Sequence, residues 1–150
     1  MAMVSKGFTL IELLIVVALI GILSVTVAFN MIGSLSRGRD SRRVQDMVAI
    51  GKAVEQCYSV DGTYPGTVSF GTGSNITCSG NITLNNVPQD PQGSGLYVYS
   101  YNVDNLTTPT IFCLCAYLEN TGTGNADNGG VSGVCAWGVS KNYFCVSNQQ

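Results

Sequence analysis

The sequence predicts an α+β protein, in which a long N-terminal helix packs on a small antiparallel sheet of three or four strands and disulfides staple the C-terminal region. Three observations predict it. Residues 8–29 are an apolar run with one charge, residues 30–58 keep a helical periodicity, and residues after 96 contain short strand-like segments. A chain of 150 residues, 45% of them hydrophobic, has room for this helix and one compact domain.

The apolar run from Phe8 to Phe29 is long enough to cross a bilayer. At about 1.5 Å per residue it reaches about 33 Å, and the hydrocarbon core of a membrane is about 30 Å thick. A short leader, residues 1–7, precedes it and ends in Lys6 and Gly7. A secretory signal places its small cleavage residue after the apolar region. Cleavage after Gly7 would instead leave the helix on the mature chain.

The segment Lys6-Gly7-Phe8-Thr9-Leu10-Ile11-Glu12, followed by the apolar run, resembles the class III signal of type IV pilins and pseudopilins. The resemblance implies that a prepilin peptidase cuts after Gly7 and that Phe8 becomes N-methylated. It also implies that subunits polymerise with copies of themselves through their N-terminal helices, with Phe8 and Glu12 acting in assembly.

The same resemblance implies a pilin fold with four parts. These are a leader (1–7), a transmembrane or filament-core helix (8–29), an amphipathic helix entering the head (30–58) and a globular head (59–150). It further implies a bacterial precursor in the inner membrane, contact with the pilus assembly machinery, and then a pilus at the cell surface.

Glu12 has two interpretations on physical grounds. A carboxylate among apolar residues of a membrane helix needs a compensating partner. That partner is either the helix N-terminus of its own chain, where Glu12 acts as a cap, or the terminal amine of a neighbouring subunit, where it sets register. The leader motif favours the assembly role.

The helix after residue 30 is expected to present one apolar stripe to the head, formed by Val44, Met47, Val48, Gly51, Val54 and Tyr58. Four arginines at 37, 39, 42 and 43 alternate with aspartates at helical spacing. By the positive-inside rule these arginines would place the head in the cytoplasm. The cysteines and the leader argue for export instead, and we predict export.

Six cysteines follow the apolar run: Cys57, Cys78, Cys113, Cys115, Cys135 and Cys145. Their even number predicts disulfides in an oxidising compartment, with 15 pairings open. A Cys57–Cys78 bridge would close a loop of about twenty residues. Cys113 and Cys115 share one strand face, within reach of Cys135 and Cys145. Zinc is the lesser alternative, since the chain has neither histidine nor a Cys-x-x-Cys pair.

Turn residues and alternation outline the head. Asp61-Gly62-Thr63-Tyr64-Pro65 ends the helix, residues 66–86 are expected to form a loop, and Val87-Pro88-Gln89-Asp90-Pro91 resembles a pseudopilin segment that enters the sheet. Strands are predicted at 96–103, 110–118, 134–139 and 142–146, the last two paired across Ser140-Lys141.

Residues 120–133 are predicted to form an exposed loop without a metal. A calcium site at Asn125 and Asp127 is the weaker alternative, because Asp127 and Glu119 are the only acids near it. Three Asn-x-Thr tripeptides, at Asn75, Asn81 and Asn105, are interpreted as chance matches.

The sequence offers no catalytic constellation and indicates no cofactor. It lacks histidine, a phosphate-binding loop and a nucleophile elbow. The acidic outer domain argues against nucleic-acid binding through bulk charge. Three non-enzymatic functions stay open: a type IV pilus subunit, which is favoured, a pseudopilin of a type II secretion system, and a membrane-anchored binding module that does not polymerise.

Overall fold

A computed structural model describes residues 7–148, except for the side chains of residues 26–32. One helix, α1 (Leu10–Asp61), runs for 52 residues and confirms the predicted N-terminal helix. The chain divides into two compact units, one ending at Leu35 and one beginning at Ser36. Residues 1–6 of the expected leader lie outside the described residues, as do the side chains of residues 26–29 in the expected membrane segment.

The second unit contains two small antiparallel sheets. The strands are β1 (Ile76–Cys78), β2 (Asn81–Leu84), β3 (Ser100–Val103), β4 (Phe112–Tyr117) and β5 (Tyr143–Ser147). β1 and β2 form a hairpin, and the other strands form a three-stranded sheet in the order β3-β4-β5. The register places Cys115 opposite Ser100 on one side and Cys145 on the other. The α+β fold class with an antiparallel sheet is therefore confirmed.

The core lies between α1 and one face of β4. Met47, Ile50, Val54 and Cys57 of α1 are fully or almost fully buried in a cluster that includes Phe112, Leu114 and Ala116 of β4. The predicted stripe was right at Met47, Gly51 and Val54, which are buried, but it included Val48, which is 38% exposed, and omitted Ile50. Both choices satisfy helical spacing, so the apolar pattern alone did not select the face.

The predicted strand at 134–139 and its hairpin with 142–146 were wrong. Residues 131–139 make only isolated bridges, and β5 pairs with β4 instead. Gly130 and Gly133 both have positive φ values, and the loop packs so tightly that a Cβ at Gly130 would meet Cys113 Sγ at 2.7 Å. Close packing against β4 requires the chain to bend at these glycines. An extended strand could not follow that path.

The predicted loop at 66–86 also contains structure that was missed. β1 and β2 join across Ser79 and Gly80, whose φ values are 47° and 78°. Two consecutive positive φ values are the signature of a type I′ turn, which matches the twist of an antiparallel hairpin. The Ser-Gly dipeptide was the available signal. The first strand of the larger sheet likewise begins at Ser100 rather than at residue 96.

A buried ionic cluster, which we call the Arg43 cluster, ties α1 to two loops of the head. Its members are Arg39, Asp40, Arg43, Asp90 and Glu119. The Arg43 side chain is completely buried and donates two hydrogen bonds to Asp90, with Nε to Oδ2 at 2.6 Å and Nη2 to Oδ1 at 2.9 Å. Its Nη1 reaches Asp40 and Glu119, each at 2.7 Å. The Tyr97 ring stacks on the guanidinium at 4.8 Å.

The other charged groups of the cluster also have hydrogen-bond partners. Arg39 forms a bidentate pair with Glu119 at 2.5 and 2.6 Å, while Asp40 accepts hydrogen bonds from the backbone of Glu119 and Asn120. The sequence predicted only that these arginines alternate with aspartates at helical spacing, not that one of them is buried. A fully bonded network instead makes burial of Arg43 tolerable, because each desolvated charge has opposite partners at hydrogen-bond distance.

We predict that Arg43→Met lowers the free energy of unfolding by about 3–5 kcal/mol, because it leaves Asp90, Asp40 and Glu119 without their shared cation. The measurement is denaturant unfolding of the full chain in detergent, followed by circular dichroism. Arg42→Met is the matched control. Arg42 is exposed, and its ion pair from Nε to Asp46 Oδ2 is long, at 3.9 Å. It should change the value by no more than about 0.5 kcal/mol. Equal effects of the two substitutions would contradict the role of the cluster.

Acid should destabilise the head through Glu119. Hydrogen bonds from Arg39 and Arg43 lower the pKa of Glu119 to about 2, below the ordinary glutamate value of about 4.3. The stabilising contribution of this carboxylate is therefore complete above the ordinary value and is lost as pH falls through it towards 2. We expect the unfolding temperature to fall between pH 5 and pH 2, and Glu119→Gln to flatten this slope. A slope that Glu119→Gln leaves unchanged would refute the assignment.

Candidate assembly and processing site

The N-terminus of α1 is closed by a reciprocal cap between Thr9 and Glu12. The Thr9 backbone N–H and the Thr9 hydroxyl donate to Glu12 Oε2, at 2.9 and 2.7 Å, and the Glu12 backbone N–H donates to the Thr9 hydroxyl at 3.3 Å. Threonine at the cap position with glutamate three residues later is the capping-box arrangement. Within one chain, Glu12 therefore adopts the cap interpretation that the sequence left open.

The cap uses only one of the two carboxylate oxygens. Both Thr9 donors reach Oε2, and no hydrogen bond or ion pair within the described residues reaches Oε1. A carboxylate can accept about four hydrogen bonds. The second oxygen is thus open to a donor from another molecule.

The stretch from Phe8 to Val25 presents an apolar surface all round. Every side chain from Phe8 to Val25 is exposed, including Leu10 at 83% and Ile22 at 66%. A helix that is apolar on every side needs a membrane or other helices to cover it. Within the described residues, no helix combines the length and the hydropathy that crossing a membrane requires.

The two residues of the expected cleavage site precede α1. Gly7 and Phe8 are both exposed and lie outside helical structure, and Phe8 is 77% exposed. Accessible, non-helical backbone is what a peptidase needs at a scissile bond. Lys6 lies outside the described residues.

The six cysteines form three disulfides. Cys57 pairs with Cys78, Cys113 with Cys135, and Cys115 with Cys145, with Cα separations of 5.2, 5.2 and 4.2 Å. The first bridge joins α1 to β1 on the core face. The other two lie in a separate buried cluster with Ala126, on the opposite face of β4. Disulfides therefore cross-link the C-terminal region, as the sequence predicted.

The loop around Asp127 uses its polar groups to hold the chain itself. Asp127 Oδ1 accepts hydrogen bonds from the Ser140 backbone and hydroxyl at 2.7 and 2.6 Å, and these bonds lower the pKa of Asp127. Asn125 donates to the Cys145 carbonyl at 2.9 Å and accepts from the Cys145 N–H at 2.7 Å. Its amide therefore pairs with β5 as a further strand would. Sequence reasoning missed this role, and calcium at Asn125 and Asp127 would have to replace these bonds.

The N-terminal region of the chain matches a known sequence family. A family described as "Prokaryotic N-terminal methylation motif" matches residues 3–28. A type IV major fimbrial protein FimA of Dichelobacter nodosus is 40% identical over 77 residues, which are 51% of this chain and 49% of that protein. A probable minor fimbrial protein of the same organism is 35% identical, covering 57% of this chain and 53% of that protein.

A type II secretion system core protein G of Vibrio cholerae is 29% identical over 99 residues, which are 60% of this chain and 67% of that protein. No solved structure shows significant similarity. The chain spans about half the length of the two fimbrial relatives. It carries the prokaryotic N-terminal methylation motif and is similar to type IV fimbrial proteins and to type II secretion core proteins G, as its leader predicted.

Proposed function

We propose that this chain is a structural subunit of a type IV pilus, which polymerises through its N-terminal helix after the leader is removed at Gly7 and Phe8 is methylated. The observation that supports it most directly is the exposed apolar surface from Phe8 to Val25, whose single charge is Glu12. Packing of such helices against one another covers that surface in a filament, and the bilayer covers it before assembly.

Glu12 sets the register between neighbouring subunits. In a bundle of apolar helices the lipid supplies little hydrophobic drive, so packing alone permits several axial positions. An ion pair from the open Oε1 of Glu12 to the Phe8 amine of a neighbour distinguishes them, because it forms at one offset. Cleavage is a precondition, since the amine of Phe8 is an amide nitrogen in the precursor.

The partners of this function are other copies of the chain, the prepilin peptidase and the pilus assembly machinery of the bacterial inner membrane. The function is non-enzymatic, and its final location is the cell surface. A pseudopilin in a type II secretion system is the second candidate, supported by the similarity to core proteins G. An anchored binding module is the third, and unlike the others it requires neither cleavage nor Glu12.

Processing is tested on the protein from its native membrane. Mass spectrometry should find a chain that begins at N-methylated Phe8, and Gly7→Val should leave the precursor uncut because the peptidase needs a small residue before the bond. Gly21→Val is the control, since it makes a similar change inside α1 and should be cut normally. A wild-type chain that begins at Met1 or Ala2 would instead favour the anchored module.

The register role of Glu12 is tested by separating its charge from its cap. Glu12→Gln removes the charge but keeps a side chain suited to a capping box, whereas Thr9→Val keeps the charge and removes the hydroxyl of the cap. If the lost ion pair is worth about 1.4 kcal/mol, sheared filament yield at matched membrane levels should fall about tenfold in Glu12→Gln. The yield from Thr9→Val should fall less than that from Glu12→Gln, because the ion pair is kept and only the ordering of the Glu12 side chain is lost.

The opposite pattern, with normal yield from Glu12→Gln and loss in Thr9→Val, would reduce Glu12 to a helix cap. A strain from which the chain is deleted distinguishes the first two candidates. Deletion of a pilus subunit leaves secretion of type II substrates unaffected. Deletion of a pseudopilin abolishes that secretion.

A further inference from the structure

Asn128 and Gly129 form the only Asn-Gly pair in the sequence, and they lie in the loop that covers Cys113. Asn128 is exposed and Gly129 is half-buried, so water reaches the pair. In such a pair the backbone nitrogen of the glycine can attack the side-chain carbonyl carbon of the asparagine, because glycine has no Cβ to obstruct the approach. The surroundings in the folded chain decide whether this reaction is open.

The side-chain carbonyl of Asn128 is polarised by the backbone. Its Oδ1 accepts a hydrogen bond from the Gly130 N–H at 2.9 Å. This bond closes a turn that brings the side-chain carbonyl back over the backbone of Gly129. The same oxygen takes up negative charge when Asn128 Cγ is attacked, and a fixed N–H donor at this distance stabilises an oxyanion.

The attacking atom, the Gly129 nitrogen, is not engaged elsewhere in the part of the chain that the structure describes. No hydrogen bond between those residues uses the Gly129 N–H. The Gly129 carbonyl, in contrast, accepts a hydrogen bond from the Asn102 side chain at 3.0 Å and a longer one from the Ser100 hydroxyl at 3.4 Å. Gly129 is therefore held in place while its nitrogen stays available.

Two other asparagines each lack part of this arrangement. Asn105 Oδ1 accepts the Thr107 N–H at 2.8 Å, which is the same turn, but the intervening residue is Leu106, whose side chain hinders the attack. Asn125 lies in the same loop, but both ends of its side-chain amide are bonded to the backbone of β5. The next nitrogen, that of Ala126, donates to a carbonyl of the same strand at 3.0 Å. These two asparagines serve as internal controls.

We propose that Asn128 and Gly129 cyclise in the folded chain, which makes Asn128 a site of covalent modification. The Gly129 nitrogen bonds to Asn128 Cγ and gives its proton to water. The bond from Cγ to the side-chain nitrogen breaks, and that nitrogen takes up a proton and leaves as ammonia. Water then opens the cyclic imide at either carbonyl, which leaves an aspartyl or an isoaspartyl residue. Each product replaces a neutral amide by a carboxylate on the surface of a chain that is already acidic.

The first test incubates the full-length, disulfide-bonded chain in detergent at mildly alkaline pH, in water enriched in heavy oxygen. Heavy oxygen enters when water opens the imide, so it marks conversion during the incubation. Peptide mass spectrometry after digestion in ordinary water then measures each asparagine. We expect Asn128 to convert about tenfold or more faster than Asn105 and Asn125. An isoaspartyl methyltransferase should label the Asn128 peptide and neither control peptide.

The same chain in urea is the control for the fold, because any Asn-Gly pair is free to react in a denatured chain. Conversion of Asn128 in urea but not in the folded chain would overturn the proposal, since the fold would then keep Asn128 and Gly129 from reacting. Equal conversion of Asn128, Asn105 and Asn125 in the folded chain would also overturn it.

The second test identifies the attacking atom. A Cβ at Gly129 would lie 2.9 Å from Ser100 Oγ, so Gly129→Ala is combined with Ser100→Ala to make room, and circular dichroism checks that the variants are folded. Asn128 in Ser100→Ala/Gly129→Ala should convert about tenfold more slowly than in Ser100→Ala alone, because the added methyl group hinders the alignment of the nitrogen with Cγ. Equal rates would show direct hydrolysis of the amide by water and would overturn the proposal.

Discussion

The buried guanidinium of Arg43 is the constraint on which the head depends. It follows the same helical spacing as Met47, Ile50 and Val54, so the face of α1 that carries the ionic network also carries the apolar core. An apolar stripe tolerates a small rotation of the helix, because one aliphatic side chain replaces another at modest cost. The bidentate contact with Asp90 does not tolerate it, since a guanidinium without its carboxylates leaves uncompensated charges in the interior. The cluster therefore selects the rotation of α1 that the apolar pattern left ambiguous.

The two faces of β4 are stabilised by different physical means. Phe112, Leu114 and Ala116 face the apolar core with α1. On the other side, Cys113 and Cys115 lie under a glycine-rich loop with few large apolar side chains to cover them. A small head with one good core gains from covalent links where packing is thin, because a bridge limits the unfolded chain rather than adding contact area. The placement of two bridges on the side away from α1 follows from this division.

Local rules predicted the long helix, its end near Asp61 and the common face of Cys113 and Cys115, because each depends on periodicity or on turn residues close in sequence. The Arg43 cluster could not be predicted in this way. An arginine beside aspartates at helical spacing is usually solvated, and its partners Asp90 and Glu119 are 47 and 76 residues away. The 134–139 segment was misassigned for the same reason. Its residues have the composition of a strand, but contacts with β4 and the bridge to Cys113 fix its path.

At the N-terminus the capping box and the proposed assembly contact use the same carboxylate without competing for the same oxygen. Two Thr9 donors reach Oε2, which satisfies the helix start and fixes the side-chain rotamer. The cap therefore fixes the direction of Oε1 before a neighbouring subunit binds. Less conformational entropy is then lost when the ion pair forms. A glutamate without the cap would have to be ordered by the contact itself. The threonine three residues before Glu12 is therefore a positioning group for the proposed register contact. Its loss should weaken that contact only by the cost of ordering one side chain, whereas loss of the charge removes the contact.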